Sequence, residues 1–210
     1  MGLIKISKVE VQKNHNDRVS MFVDDAYFAS MYLDTAVKYG IKKDLEIEEE
    51  TLKKYIIESE KHLAFDKAVN YQSSAFKTKK QIRDYLNKKG YDKIVVDYVI
   101  DKMCEYKFLD DEKFADMYIS SYDKKYGPNM LKTKLLQKGI SKTIVDEKLK
   151  EYEPQEEIID KMLLKKLGSK PPTQENLTKC IRFLSSRGYD YDNIKKSINK
   201  IKKGEIEDYE

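Results

Sequence analysis

The chain has no tryptophan, only two cysteines and two histidines, and only four prolines in 210 residues. Cys104 and Cys180 stand far apart and outside any C-x-x-C pair, so neither a disulfide framework nor a cysteine zinc site is encoded. His15 falls in a predicted hairpin turn and His62 on a polar helix face, which leaves no H-E-x-x-H metal motif. The glycine-rich phosphate loops and the G-x-S-x-G nucleophile turn are missing as well. Nothing approaches the ~18 consecutive apolar residues of a membrane span. Lys5 and Lys8 interrupt the N-terminus where a signal peptide would keep its apolar stretch. These absences predict a soluble, cytoplasmic protein with no catalytic residue, cofactor or metal.

Charge is abundant instead. Charged residues make up 37% of the chain and apolar residues 40%; ordinary domains carry about 25% and about 45–50%. Much of each element must therefore face water. The net charge of +4 is uneven: residues 1–73 carry −2, residues 74–150 carry +6 and residues 151–210 are neutral. A basic middle is suited to an anionic partner, although a solvated lysine face has the same composition.

A repeat organises the chain. Lys88-Lys89-Gly90-Tyr91, Gln137-Lys138-Gly139-Ile140 and Ser186-Arg187-Gly188-Tyr189 place glycines 49 residues apart. The same step carries Ile82 onto Leu131 and Cys180, Leu86 onto Leu135 and Leu184, Phe65 onto Phe114 and Leu163, and Val96 onto Val145 and Ile194. Recurring apolar columns signal stacked units, which in such arrays cannot bury their apolar faces alone. Each unit reads as three helices. In the first, a segment near 61–72 precedes a Thr78-x-x-Gln81 capping-box pattern, and Gly90 stands as a left-handed C-terminal cap. A third helix follows from Asp92. The second repeat opens at Asp110-Asp111-Glu112, whose acids suit a helix start, and Gly127-Pro128 opens its middle helix; Pro171-Pro172-Thr173 does so in the third. Before the repeats, alternating segments around Lys5–Gln12 and Val19–Val23, a turn at His15-Asn16-Asp17, and a short strand through Tyr27-Phe28-Ala29 predict a small β cap. The expected fold is mainly α: three tandem three-helix repeats in an elongated curved array behind an N-terminal hairpin or sheet. Its divisions are 1–46 (β-rich extension), 47–109 (leading helix and first repeat), 110–158 (second repeat) and 159–210 (third repeat).

The candidate binding residues are cationic. Lys77, Lys79, Lys80, Arg83, Lys88 and Lys89 lie on or beside the first middle helix; Lys124, Lys125, Lys132, Lys134 and Lys138 occupy the corresponding part of the second; Lys179, Arg182 and Arg187 follow in the third. Stacking would bring these helices to one side as a basic stripe for a phosphate backbone or an acidic protein surface, in either case weakened by salt. Gly90, Gly139, Gly188, Asp110, Asp111, Phe114 and Ala115 read as structural. Asp110-Asp111-Glu112 could in principle hold a divalent ion, but helix capping accounts for the three acids better. Most of the sixteen tyrosines, among them Tyr91, Tyr106 and Tyr118, read as packing residues.

Leu109-Asp110-Asp111-Glu112-Lys113-Phe114-Ala115, followed by Tyr126-Gly127-Pro128 and Leu135-Leu136-Gln137-Lys138-Gly139-Ile140, resembles the RecX family of bacterial recombination regulators. Thr78-x-x-Gln81-Ile82-Arg83, Leu86 and Lys89-Gly90-Tyr91 resemble the family's first-repeat pattern, and the similarity runs from about residue 3 to about 200. The chain departs from that pattern at Lys107-Phe108, Gln81, Lys134 and Asn129. The resemblance implies a negative modulator of the RecA recombinase. Such a protein lies in the groove of the filament on single-stranded DNA, as a monomer that meets the strand through the filament. Filament extension, ATP hydrolysis, strand exchange and SOS coprotease activity would all be suppressed. Two other readings stay open from the residues alone: a nucleic-acid-binding adaptor without a recombinase partner, and a scaffold for an unrelated protein.

Overall fold

A computed structural model describes residues 2–13, 15–150 and 152–205. Residue 1 of the N-terminal extension and residues 206–210 of the third repeat lie outside them. The described residues form two compact units: residues 1–77 with 81–109, and residues 78–80 with the chain from 110 onward.

The first unit begins with strands β1 (Leu3–Gln12), β2 (His15–Val23) and β3 (Ala26–Tyr32), then helix α1 (Leu33–Lys38) and a short strand β4 (Glu46–Glu48). All neighbours are antiparallel and the sheet order is β3-β2-β1-β4. Asp24 and Asp25 both adopt left-handed backbone angles (φ 51° and 62°) in the tight reversal between β2 and β3, a conformation aspartate tolerates better than most residues. One sheet face buries Ile6, Val19, Met21 and Met31 against Ala36, Ile41 and Leu52. Two expectations shift here. The turn placed at His15-Asn16-Asp17 comes earlier, because Gln12 pairs with His15 and β2 already starts there. Ile47 belongs to β4, where it pairs with Ile4 rather than opening a helix.

Helix α2 (Glu49–Ser73) is a single 25-residue helix, where the sequence pattern suggested a leading helix and a separate first helix of the repeat. No glycine or proline interrupts residues 49–73, so nothing breaks its ladder. Its first half closes the sheet core, and the Ser59 hydroxyl accepts the Tyr32 N–H at 2.7 Å. Its second half packs Ala64 and Ala68 against α3 (Lys79–Lys88) and α4 (Lys93–Glu105), which bury Ile82, Leu86, Val95, Val96, Val99, Ile100 and Met103. The β-branched run at 94–96 is helical because the three-to-four spacing of its apolar residues meets this core, overriding a weak strand preference.

The second unit contains α5 (Asp111–Tyr122), α6 (Pro128–Gln137), α7 (Lys142–Lys150), α8 (Glu156–Leu167), α9 (Gln174–Ser186) and α10 (Tyr191–Lys202). Two cores follow the repeat. One gathers Phe114, Ala115, Leu135, Ile140 and Val145; the other gathers Ile159, Leu163, Leu177, Cys180, Leu184, Tyr189 and Ile194. Side-chain caps start four helices: Asp110, Ser141, Thr173 and Asp190 accept the N–H groups of Lys113, Ile144, Asn176 and Asn193.

Within this unit a junction recurs at the 49-residue step. The Thr78 hydroxyl donates to the Lys138 carbonyl at 2.7 Å, so it reaches beyond the capping box its sequence suggested. One repeat later the Gly127 N–H donates to the Arg187 carbonyl at 2.9 Å and the Asn129 N–H to the Gly188 carbonyl at 3.1 Å. In both places the start of one middle helix meets the end of the next. The Asp111 carboxylate, 8% exposed, accepts the Lys79 N–H at 3.0 Å and so caps the start of α3.

Candidate functional site

Each unit carries a surface on which lysine and arginine heads lie over tyrosine and phenylalanine rings. In the first unit, Tyr71 on α2 and Tyr85 on α3 stack with centroids 4.1 Å apart and planes 8° apart. Lys77 lies 4.9 Å from the Tyr71 ring and Lys89 5.8 Å from the Tyr85 ring. Lys88 stands exposed in the last turn of α3. A cation over a ring face is held electrostatically while its ammonium stays in water. Lys77 and Lys89 therefore offer positive charge from over their rings.

The second unit repeats the arrangement on a larger scale. Phe114, Tyr118 and Tyr122 on α5 and Tyr126 just beyond it are spaced four residues apart and follow one another ring to ring, with centroid separations of 6.1, 4.6 and 5.7 Å, the outer two pairs stacked and the middle pair tilted by 33°. Lys138 lies over both Phe114 (5.8 Å) and Tyr118 (5.3 Å). Lys125, Lys134 and Arg187 converge on Tyr126 at 5.3, 5.0 and 6.0 Å. Arg187 also lies 5.2 Å from Phe183, which Lys166 approaches to the same distance. An unbroken series of rings and cations thus runs from α5 to α9. Burial pushes the Tyr118 hydroxyl pKa up, with Tyr122 and Tyr126 adding to the shift, so this tyrosine stays neutral and adds no negative charge.

The remaining candidates divide by role. Arg83 and Lys132, one repeat apart, are drawn into ion pairs with Asp97 and Asp146, which are also one repeat apart. Each pair ties a middle helix to the helix after it, and the arginine and lysine hold the pKa of their carboxylates below the usual range. These two cations are engaged within the fold. Lys79 and Lys80 are exposed at the start of α3, with the Lys80 stem packed by Gly139, and Lys124 is exposed after α5. Gly90, Gly139 and Gly188 hold φ of 84°, 88° and 89°. Asp110 and Asp111 cap helices, and Phe114 and Ala115 are buried. Among the described residues no group of three or more His, Cys, Asp or Glu is placed to hold a metal ion, and no helix is long and apolar enough to cross a membrane.

Sequence reasoning missed the aromatic half of this surface. Tyr106, read as a core position, is 55% exposed, because it caps α4 beyond the last buried turn. Tyr118 reads from the sequence as a packing residue, unconnected with Tyr122 and Tyr126, although their spacing of four residues from Phe114 is the available signal.

Known proteins share this organisation. Residues 4–48 match the family model described as the regulatory protein RecX N-terminal domain, residues 64–103 the first three-helix domain of RecX, and residues 110–149 the second. The crystal structure of a regulatory protein RecX superposes with a TM-score of 0.66 at 23% identity, covering 92% of this chain and 98% of that one. RecX from Lactobacillus salivarius superposes with a TM-score of 0.64 over 68% of this chain and 97% of its own. Regulatory protein RecX of Clostridium tetani (strain Massachusetts / E88) is 35% identical over 94% of each chain. That of Clostridium botulinum (strain Eklund 17B / Type B) is 34% identical over 98% of this chain and 100% of its own. Identity at this level over nearly the full length of both partners leaves one conclusion: the chain belongs to the RecX family of regulatory proteins.

Proposed function

We propose that this protein is a negative regulator of the RecA recombinase, acting in the cytoplasm as a monomer that lies in the groove of the RecA filament on single-stranded DNA. Seated there, the helical repeats stop the filament from growing and lower ATP hydrolysis, strand exchange and SOS coprotease activity. The strand is met through the filament. Family membership supports the partner, and the observation that carries the mode of binding is the aromatic ladder clad by Lys125, Lys134, Lys138 and Arg187. Cations fixed over rings lose less side-chain freedom on binding than free lysines do, so more of their attraction to an anionic surface is realised. The activity needs only occupancy, and occupancy saturates by mass action. Contacts of this kind weaken as salt rises.

The test is single-strand-dependent ATP hydrolysis by RecA, with the protein titrated at two salt concentrations. Inhibition well below one molecule per recombinase subunit, weaker at the higher salt, is the expected result. The double variant Lys134→Glu with Lys138→Glu should need at least tenfold more protein for the same inhibition while its thermal midpoint stays within about 2 °C. Binding to bare single strands without any effect on hydrolysis would overturn the recombinase reading and favour a nucleic-acid adaptor.

A further inference from the structure

The third repeat contains a cavity of about 450 Å³ between α8 and α9. Its lining includes Lys166 at the end of α8, Lys170 in the loop beyond it, and Lys179, Cys180, Arg182 and Phe183 along one face of α9. No carboxylate contributes to the lining. Among the described residues, Lys166, Lys170 and Arg182 are in no ion pair, whereas Lys179 reaches out to Glu175 at 2.6 Å. The four side chains are exposed at the rim of the cavity, and two observations place Lys166 and Lys170 beside its apolar wall. Lys166 is held 5.2 Å from the Phe183 ring by cation–π attraction, and Lys166 and Lys170 both act on the buried Cys180 thiol, offsetting part of the rise that burial gives its pKa.

Lys166, Lys170 and Arg182 around one concavity repel one another unless an anion joins them, while Lys179 already faces Glu175. A single carboxylate leaves most of that charge uncompensated. A phosphate ester offers several acceptor oxygens and matches the planar fork of Arg182. The cavity also falls in the ~300–1,000 Å³ range of small-ligand sites, and Phe183 supplies an apolar wall. We propose that the α8–α9 cavity is a nucleotide-phosphate site, with the phosphate held among Lys166, Lys170, Lys179 and Arg182. A free nucleotide and one unit of a single strand present this same chemistry. The site requires no recombinase and is independent of the function proposed above.

The experiment uses the full chain alone. Fluorescence anisotropy with a labelled ten-nucleotide oligothymidylate, and calorimetry with thymidine triphosphate, probe the two sources of the phosphate. The double variant Lys170→Glu with Arg182→Glu should weaken whichever probe binds by at least tenfold. For the oligonucleotide it should flatten the slope of log affinity against log salt by about 1.4, two contacts at about 0.7 each. Lys43→Glu with Lys54→Glu makes the same change of net charge in the first unit and should leave affinity within twofold. Binding of the triphosphate assigns the site to free nucleotides, and binding of the oligonucleotide alone assigns it to the strand; both uphold it. The proposal falls if the wild-type chain binds neither probe, if the variant binds as the wild type does, or if poly-glutamate competes as well as the oligonucleotide at equal charge. Because no RecA is present, none of these failures touches the recombinase reading.

Discussion

Gly90, Gly139 and Gly188 share a left-handed backbone but not a neighbourhood. A side chain at φ near 85° costs about 1–2 kcal/mol in any L-residue, and at Gly90 that is the whole cost, since a methyl group there would meet nothing within 4 Å. At Gly139 it would also press into the stem of Lys80, below 3.0 Å, and at Gly188 into the backbone nitrogen of Met130. A lysine stem can move in part; a backbone in the first turn of α6 cannot without disturbing the Asn129 N–H bond to the Gly188 carbonyl. The expected order of destabilisation by alanine is therefore Gly90, then Gly139, then Gly188. Gly90→Ala should cost about 1 kcal/mol, Gly188→Ala at least twice that, and Gly2→Ala nothing measurable. Urea denaturation of the four variants checks the ranking, and equal losses at all three repeat glycines would mean that the repeat junction contributes nothing.

At the scale of the element, α2 carries a titrating group in a costly place. Glu60 is half-buried where the sheet and the first repeat share the helix; burial raises its pKa, the nearby Asp92 raises it further, and Arg18 only partly offsets both. A carboxyl group whose folded pKa is raised stabilises the fold when protonated. That contribution is complete below the ordinary carboxylate pKa and disappears as pH climbs through the raised folded value. Glu60→Gln, which keeps the shape and cannot ionise, should therefore melt with the wild type at low pH and above it at pH 7. Thermal midpoints from pH 3.5 to 7.5 decide the matter: a difference that is constant or shrinks with pH would refute the assignment. The continuity of this helix was hidden in the sequence, because Glu48-Glu49-Glu50 marks a start clearly while nothing local marks the absence of a stop. The strand at β4 was hidden for a different reason: three residues give no period, and its pairing partners lie more than forty positions away. The glycine and apolar columns, by contrast, were legible because the same packing problem is solved three times. The lysines of the candidate surface were legible as charge, but their division was not. Only the fold shows that Arg83 and Lys132 are committed to Asp97 and Asp146 while Lys134 and Lys138 lie over rings.

For the molecule as a whole, the recurring junction in the second unit says how repeats depend on one another. Each repeat has its own apolar cluster, so a strictly modular chain would lose one repeat without weakening the next. The start of α6, however, is completed from outside its own repeat: Gly127 and Asn129 donate to the carbonyls of Arg187 and Gly188, and Arg187 covers Tyr126. A chain ending after Lys150 would leave both N–H groups to water and strip that cover. Two hydrogen bonds at about 1 kcal/mol each put the loss near 2 kcal/mol, which is roughly a thirty-fold change in an opening equilibrium. Hydrogen exchange at the Leu131 and Leu135 amides of α6, compared between the full and shortened chains, should accelerate by about that factor, with little change at Ile82 and Leu86 in the first unit. Unchanged protection in α6 would show that the second repeat is self-sufficient. The expected acceleration instead means that removing the third repeat also loosens the ladder carrying Lys134 and Lys138, so a truncated chain cannot be used to assign partner binding to the third repeat alone.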